Sequence, residues 1–192
     1  MLNFFKALVV AVLGVALGLA ATFVSVEHGL GFGAVRAGPW TAWPRSGAPD
    51  ADPYARAALA RSGELPLGLS EGLTFIAAGD SAGAPLKTDC AYEISGAMPA
   101  ARFWTLTASS ATGGLIGNAA NRYGFTSAEI LREARGGFVI AAARGVQPGN
   151  WLPLAGPDGF VLTLRVYDTP VSATASALRA ANLPLIKKMS CA

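Results

Sequence analysis

The chain has 192 residues, 52% of them apolar and 14% charged, with 15 basic against 12 acidic side chains and a net charge of +3. So low a charged fraction excludes a disordered polyelectrolyte, and the length allows one domain with a full core plus an appendage. The longest basic run is Lys187-Lys188, which argues against the clustered basic face that nucleic-acid binding requires.

Ala7–Val26 is a run of twenty uncharged residues, preceded by Lys6 and the amino terminus and followed by Glu27 and His28. Coiled as a helix it would be about 30 Å long, the thickness of a bilayer's hydrocarbon core. With positive charge ahead of the run, the positive-inside rule keeps the N-terminus in the cytoplasm and sends the remainder across. The competing reading is a secretory signal, with Gly18 and Ala20 as the small residues ahead of a cleavage before Ala21. The apolar stretch is long for a signal, so an uncleaved single-pass anchor in the cytoplasmic membrane is preferred, with the domain facing the periplasm. Gly14 and Gly18 form a Gly-x-x-x-Gly pair through which two such helices would approach and the chain would homo-oligomerise. A flexible signal core explains the same two glycines.

The chain divides into this segment (1–26), a Gly/Pro-rich linker (27–49) and a β-sandwich domain (50–192). In the linker Trp40 and Trp43 sit within GPWTAWPRSG, where neither helical nor strand periodicity survives. They suit a groove on the domain better than solvent, which would leave a large apolar area in water. Asp52-Pro53 opens a short helix as N-cap and first residue, and Gly63 ends it. Short alternating or apolar runs follow at Leu73–Ala78, Cys90–Ser95, Phe103–Ala108, Phe138–Ala143 and Phe160–Asp168, separated by Gly- and Asp-containing turns. In the last run Phe160, Leu162, Leu164 and Val166 share one face, and Val161, Thr163, Arg165 and Tyr167 the other. Asp158-Gly159 before it is a hairpin-turn signal. Ile130–Arg135 is helical in composition but is read as a strand, because Arg135-Gly136-Gly137 makes a turn into the next run. Leu183–Cys191 reads as a final strand after a short Ala-rich turn of helix.

The stretches DPYARAALARSGELPLG, CAYEISG, ARFWTLT, NRYGF, GNWLPL, LRVYD and LPLIKKMSC together resemble the domain of unknown function 1214 family in its short, membrane-anchored bacterial form. The resemblance covers the chain from about Pro39 to Cys191. The resemblance implies a jelly-roll-like antiparallel β-sandwich with one short N-terminal helix, and it implies no established activity.

Cys90 and Cys191 are the two cysteines. An even count on the exported side predicts one disulfide, worth about 4–5 kcal/mol for a loop of about a hundred residues. Two distant cysteines without a histidine partner make no metal site, and no cofactor is expected. With His28 the single histidine, a Ser-His-Asp or Cys-His arrangement inside the sandwich is ruled against. Gly29–Gly33 follows no βαβ strand and is no dinucleotide fingerprint. Asp89 with Glu93, or Asp158 with Asp168, would be a carboxylate pair only if the fold set them across a cleft.

Four clusters remain as ligand-binding candidates: Arg102 with Trp104, Asn121 with Arg122, Asn150 with Trp151 at the start of the Phe160 strand, and Arg165 with Tyr167. Arginine forks would receive a carboxylate or phosphate, and aromatic rings would stack beneath it. The structural alternative for each is an arginine packed on an aromatic or paired to an acid. The sequence thus reads as an envelope-anchored module binding a small molecule or protein partner. The alternative is an enzyme acting on an envelope carbohydrate, lipid or small acid, which requires these Arg, Tyr and Asp residues in one pocket.

Overall fold

A computed structural model describes residues 2–27, 33–68, 70–134, 136–156, 159–170, 174–179 and 181–191. His28, most of the Gly29–Gly33 stretch, Arg135 and Asp158 lie outside the described residues, as does the Asp158-Gly159 turn signal. Helix α1 (Leu2–Glu27) is apolar, exposed from Asn3 to Val24, and long enough to cross a bilayer by length and composition.

The expected jelly-roll-like sandwich is the fold observed. One sheet has six strands in the order β1-β2-β3-β9-β5-β6: β1 (Val35–Ala37), β2 (Trp40–Ala42), β3 (Gly72–Ala77), β5 (Phe103–Ser110), β6 (Gly124–Thr126) and β9 (Phe160–Tyr167). The second has four in the order β10-β4-β7-β8: β4 (Cys90–Gly96), β7 (Phe138–Ala143), β8 (Asn150–Pro153) and β10 (Leu185–Cys191). Alternation does what the period of two demands. Phe160, Leu162, Leu164 and Val166 are buried, while Val161, Thr163, Arg165 and Tyr167 are half-buried on the outer face. Facing them across the core are Tyr92 and Ile94 of β4, Phe138 and Ile140 of β7, and Ile186 of β10. Each large apolar side chain so buried contributes about 1.5–3 kcal/mol.

Helix α2 (Pro53–Ser62) forms where its caps predict. The Asp52 carboxylate accepts from the amides of Tyr54 and Ala55, and Gly63 takes the left-handed conformation (φ 68°) that ends it. The Ala-rich segment before the tail forms the short helix α3 (Ala175–Arg179).

Four details differ from the sequence reading. Val35–Ala42, inside the stretch taken as linker, is a hairpin on the six-stranded sheet, and Trp40 is fully buried with its indole donating to Pro184 O at 2.7 Å. Two strands of three residues are too short to show a period. The sheets are not wholly antiparallel: β8 runs parallel to β7, with Ile140 opposite Asn150. Residues 144–149 can make that return because six extended residues reach about 20 Å and β8 is only four residues long. Asn150-Trp151 therefore belongs to the four-stranded sheet and not to the start of β9. Residues 130–134 are neither strand nor helix; they are a loop with one isolated bridge, Arg132 to Phe138.

The predicted disulfide is present. Cys90 and Cys191 face each other across β4 and β10, closing a loop with a sequence separation of 101.

Candidate functional site

Two connections, 97–102 from β4 to β5 and 127–137 from β6 to β7, cross between the sheets at the same end of the sandwich. Between them opens a cleft of about 350 Å³, lined among others by Met98, Arg102, Trp104, Ser127 and Arg132. Trp104 is one of its lining residues. It is buried, its ring lies 5.6 Å from that of Phe138, and Ser127 N donates to Trp104 O at 3.0 Å, drawing the second connection against β5.

Arg102 enters from the first connection. Its amide donates to Tyr167 O at 3.1 Å, which fixes where the side chain leaves the backbone. Among the described residues its guanidinium makes no hydrogen bond or ion pair. Arg132 enters from the second connection, and the one bond seen for its fork is a long one, Nη1 to Gly136 O at 3.4 Å. No acidic side chain is among the described residues lining the cleft. Two arginines lining one cleft with an indole, and no carboxylate among the described lining residues, suit a small anion with oxygens to share. Among the described residues no cluster of His, Cys, Asp and Glu suits a metal ion.

The sequence model of a family described as a protein of unknown function (DUF1214) matches residues 71–171, just over half of the chain and most of the sandwich. The chain belongs to the DUF1214 family. No protein with a curated description matches it. The crystal structure of the VPA0106 protein from Vibrio parahaemolyticus is similar in fold, with a TM-score of 0.59 at 19% identity over 76% of this chain and 37% of that one. An uncharacterized protein from Burkholderia cenocepacia aligns with a TM-score of 0.41 at 17% identity, over 77% of this chain and 48% of its own. This chain spans less than half the length of either.

Within this DUF1214 domain the candidate residues separate. Arg102 and Trp104 meet in the cleft. Asn150 is buried and does not line it; its side chain accepts from Leu131 N at 2.8 Å and donates to Leu131 O at 2.8 Å and Val139 O at 2.9 Å. Those three bonds fasten the loop that carries Arg132. Arg122 donates to Trp151 O at 3.3 Å and lies over the Phe125 ring, 5.2 Å from its centroid. It joins the edge strands β6 and β8, closing that side of the sandwich. Asn121 takes a left-handed turn conformation (φ 49°) beside it. Arg165 lies on the outer face of the six-stranded sheet and pairs with Glu64 at 3.3 Å. The Tyr167 ring packs on Phe103 on that same face.

Arg132 is the cleft residue that the sequence did not single out. Its only local mark is a position shortly before Gly136-Gly137, and nothing local shows that this loop crosses between sheets. A second depression, of about 240 Å³, lies beside the disulfide and is lined by Asp89, Arg144 and Gln147. There the Arg144 fork is engaged by the protein itself, through Thr88 O at 2.8 Å, Thr88 Oγ1 at 3.3 Å and Gly156 O.

Proposed function

We propose that this chain is a membrane-anchored binding module of the bacterial envelope. Its domain faces the periplasm and takes a small carboxylate or phosphate in the Arg102–Arg132 cleft. The apolar α1 and the disulfide support an exported, anchored chain. The observation that carries the ligand is a pair of arginines lining one cleft with Trp104, with no acidic lining residue among those described. The enzymatic alternative needs Arg102, Asn121, Arg122, Arg165 and Tyr167 gathered around a carboxylate, and these side chains point to a cleft, an edge and an outer face instead.

The test is thermal unfolding of the purified protein against a panel of small carboxylates and phosphates. A ligand at a hundredfold its Kd should stabilise by about 2.7 kcal/mol, a rise of roughly 5–10 °C for a domain of this size. Arg102→Ala combined with Arg132→Ala should remove the rise. Turnover of a panel compound, lost in the same double variant, would replace binding with catalysis.

A further inference from the structure

We propose that the Arg102–Arg132 cleft selects a dianion, a phosphomonoester or a short dicarboxylate, over the phosphodiester or monocarboxylate of the same shape. This rests on the anion-binding reading of the cleft and goes beyond it by assigning the charge of the ligand.

The assignment follows from the charges that border the cleft. Arg102 and Arg132 are the charged residues among those described as lining it, and both are exposed, so a ligand reaches them from solvent. Three acids lie on the neighbouring backbone, and none of them lines the cleft. Glu129 turns its carboxylate to the Thr126 amide at 2.8 Å. Glu133 lies against Gly137, its Oε2 3.5 Å from where a Cβ would stand on that glycine. Asp168 meets Arg102 through its carbonyl, which accepts from the Arg102 amide at 3.3 Å.

Arginine stays protonated across the physiological range, so two full positive charges remain for the ligand to balance. A monoanion pairs with one of them and leaves the other to water. A dianion pairs with both. Because both arginines are exposed, water screens each pair, and the second charge should tighten binding about fivefold and not by orders of magnitude. A phosphomonoester carries nearly two charges at neutral pH, whereas a diester carries one. Nucleic-acid backbones and phospholipid headgroups, both diesters, are thereby disfavoured.

The positions of the two arginines add a geometric consequence. Arg102 ends the β4–β5 connection and Arg132 lies within the β6–β7 connection. A ligand paired with both ties together two segments that leave different strands, and a ligand paired with one does not.

The full-length protein in neutral detergent micelles provides the test, by calorimetric titration at fixed ionic strength and about pH 8, where phosphomonoesters and dicarboxylates are doubly ionised. Two matched pairs are compared: methyl phosphate with dimethyl phosphate, and succinate with monomethyl succinate. In at least one pair the dianion should bind about fivefold tighter or more, and the pair that shows it tells whether the two charges sit on one centre or on two. Arg102→Gln and Arg132→Gln, each alone, should bring that ratio close to one without changing the unfolding of the unliganded protein. In the unsubstituted protein the bound dianion should slow amide exchange in both 97–102 and 127–137.

Equal affinities within both pairs, or protection confined to one connection, would overturn the dianion assignment and leave an anion site standing. Binding by none of these compounds would overturn the anion-binding reading itself, and the assignment with it.

Discussion

The two arginine-lined depressions use the same side chain in opposite ways. Beside the disulfide, Arg144 spends its fork on Thr88 and Gly156, tying the end of β7 to two neighbouring loops. At the crossover end, Arg102 has no such partner among the described residues, and the fork of Arg132 has one long bond. A guanidinium satisfied by backbone carbonyls is part of the scaffold. One that lines a cleft and has no such bond among the described residues keeps its donors for another acceptor. The contrast separates arginines whose forks the protein engages from those that line a cleft without such bonds, a distinction that residue type cannot make.

The scaffold side of the contrast should break hardest at the disulfide. Cys191→Ser with Cys90→Ser should cost about 4–5 kcal/mol in urea unfolding, because strand β10 is mostly exposed and pairs with β4 alone. A loss below about 1 kcal/mol would mean that the unfolded chain is little constrained by this loop.

Asn150→Ala sharpens the contrast from the other side. It would strip partners from Leu131 N, Leu131 O and Val139 O, at a cost of about 3 kcal/mol. It should also abolish the anion response, although Asn150 does not line the cleft. An unchanged response would show that Arg132 is held by something else.

A smaller effect is expected at Tyr92. Burial raises its pKa above the ordinary 10.0, outweighing the amide of Lys87 that donates to its hydroxyl. A raised folded pKa means the neutral form is the one the fold favours. Its contribution is complete below the unfolded value near pH 10 and is lost as pH climbs through the folded one. Tyr92→Phe should flatten that alkaline limb, and a limb unchanged in the variant would assign it to other groups.

Much of the scaffold was legible because its rules are local. The period of two in β9, β5 and β4 gave their inner faces, Asp52 and Gly63 marked both ends of α2, and an even pair of cysteines beyond the apolar segment implied their bond. The hairpin β1–β2 escaped because three-residue strands beside Gly38-Pro39 carry turn chemistry and no period. Strand β8 escaped because its parallel pairing with β7 depends on a return loop that no short window encodes. Residues 130–134 have helix-forming composition, but Asn150, far along the chain, fastens Leu131 into a loop.

The cleft was half legible for the same reason. Trp104 is inward by alternation and Arg102 sits at the start of that strand, so the pair could be read from ARFWTLT. The conjunction of Arg132 with them depends on two crossovers meeting at one end of the sandwich. The roles of Asn150 and Arg122 depend on partners in another sheet.

The most direct measurement follows the arginine Nε–Hε resonances of the full-length protein during a titration with inorganic phosphate. Arg102 and Arg132 should shift together and saturate, while Arg144, held by Thr88 and Gly156, stays in place. Arg144 moving with them, or Arg102 and Arg132 remaining still throughout, would contradict the division between structural and ligand-facing arginines.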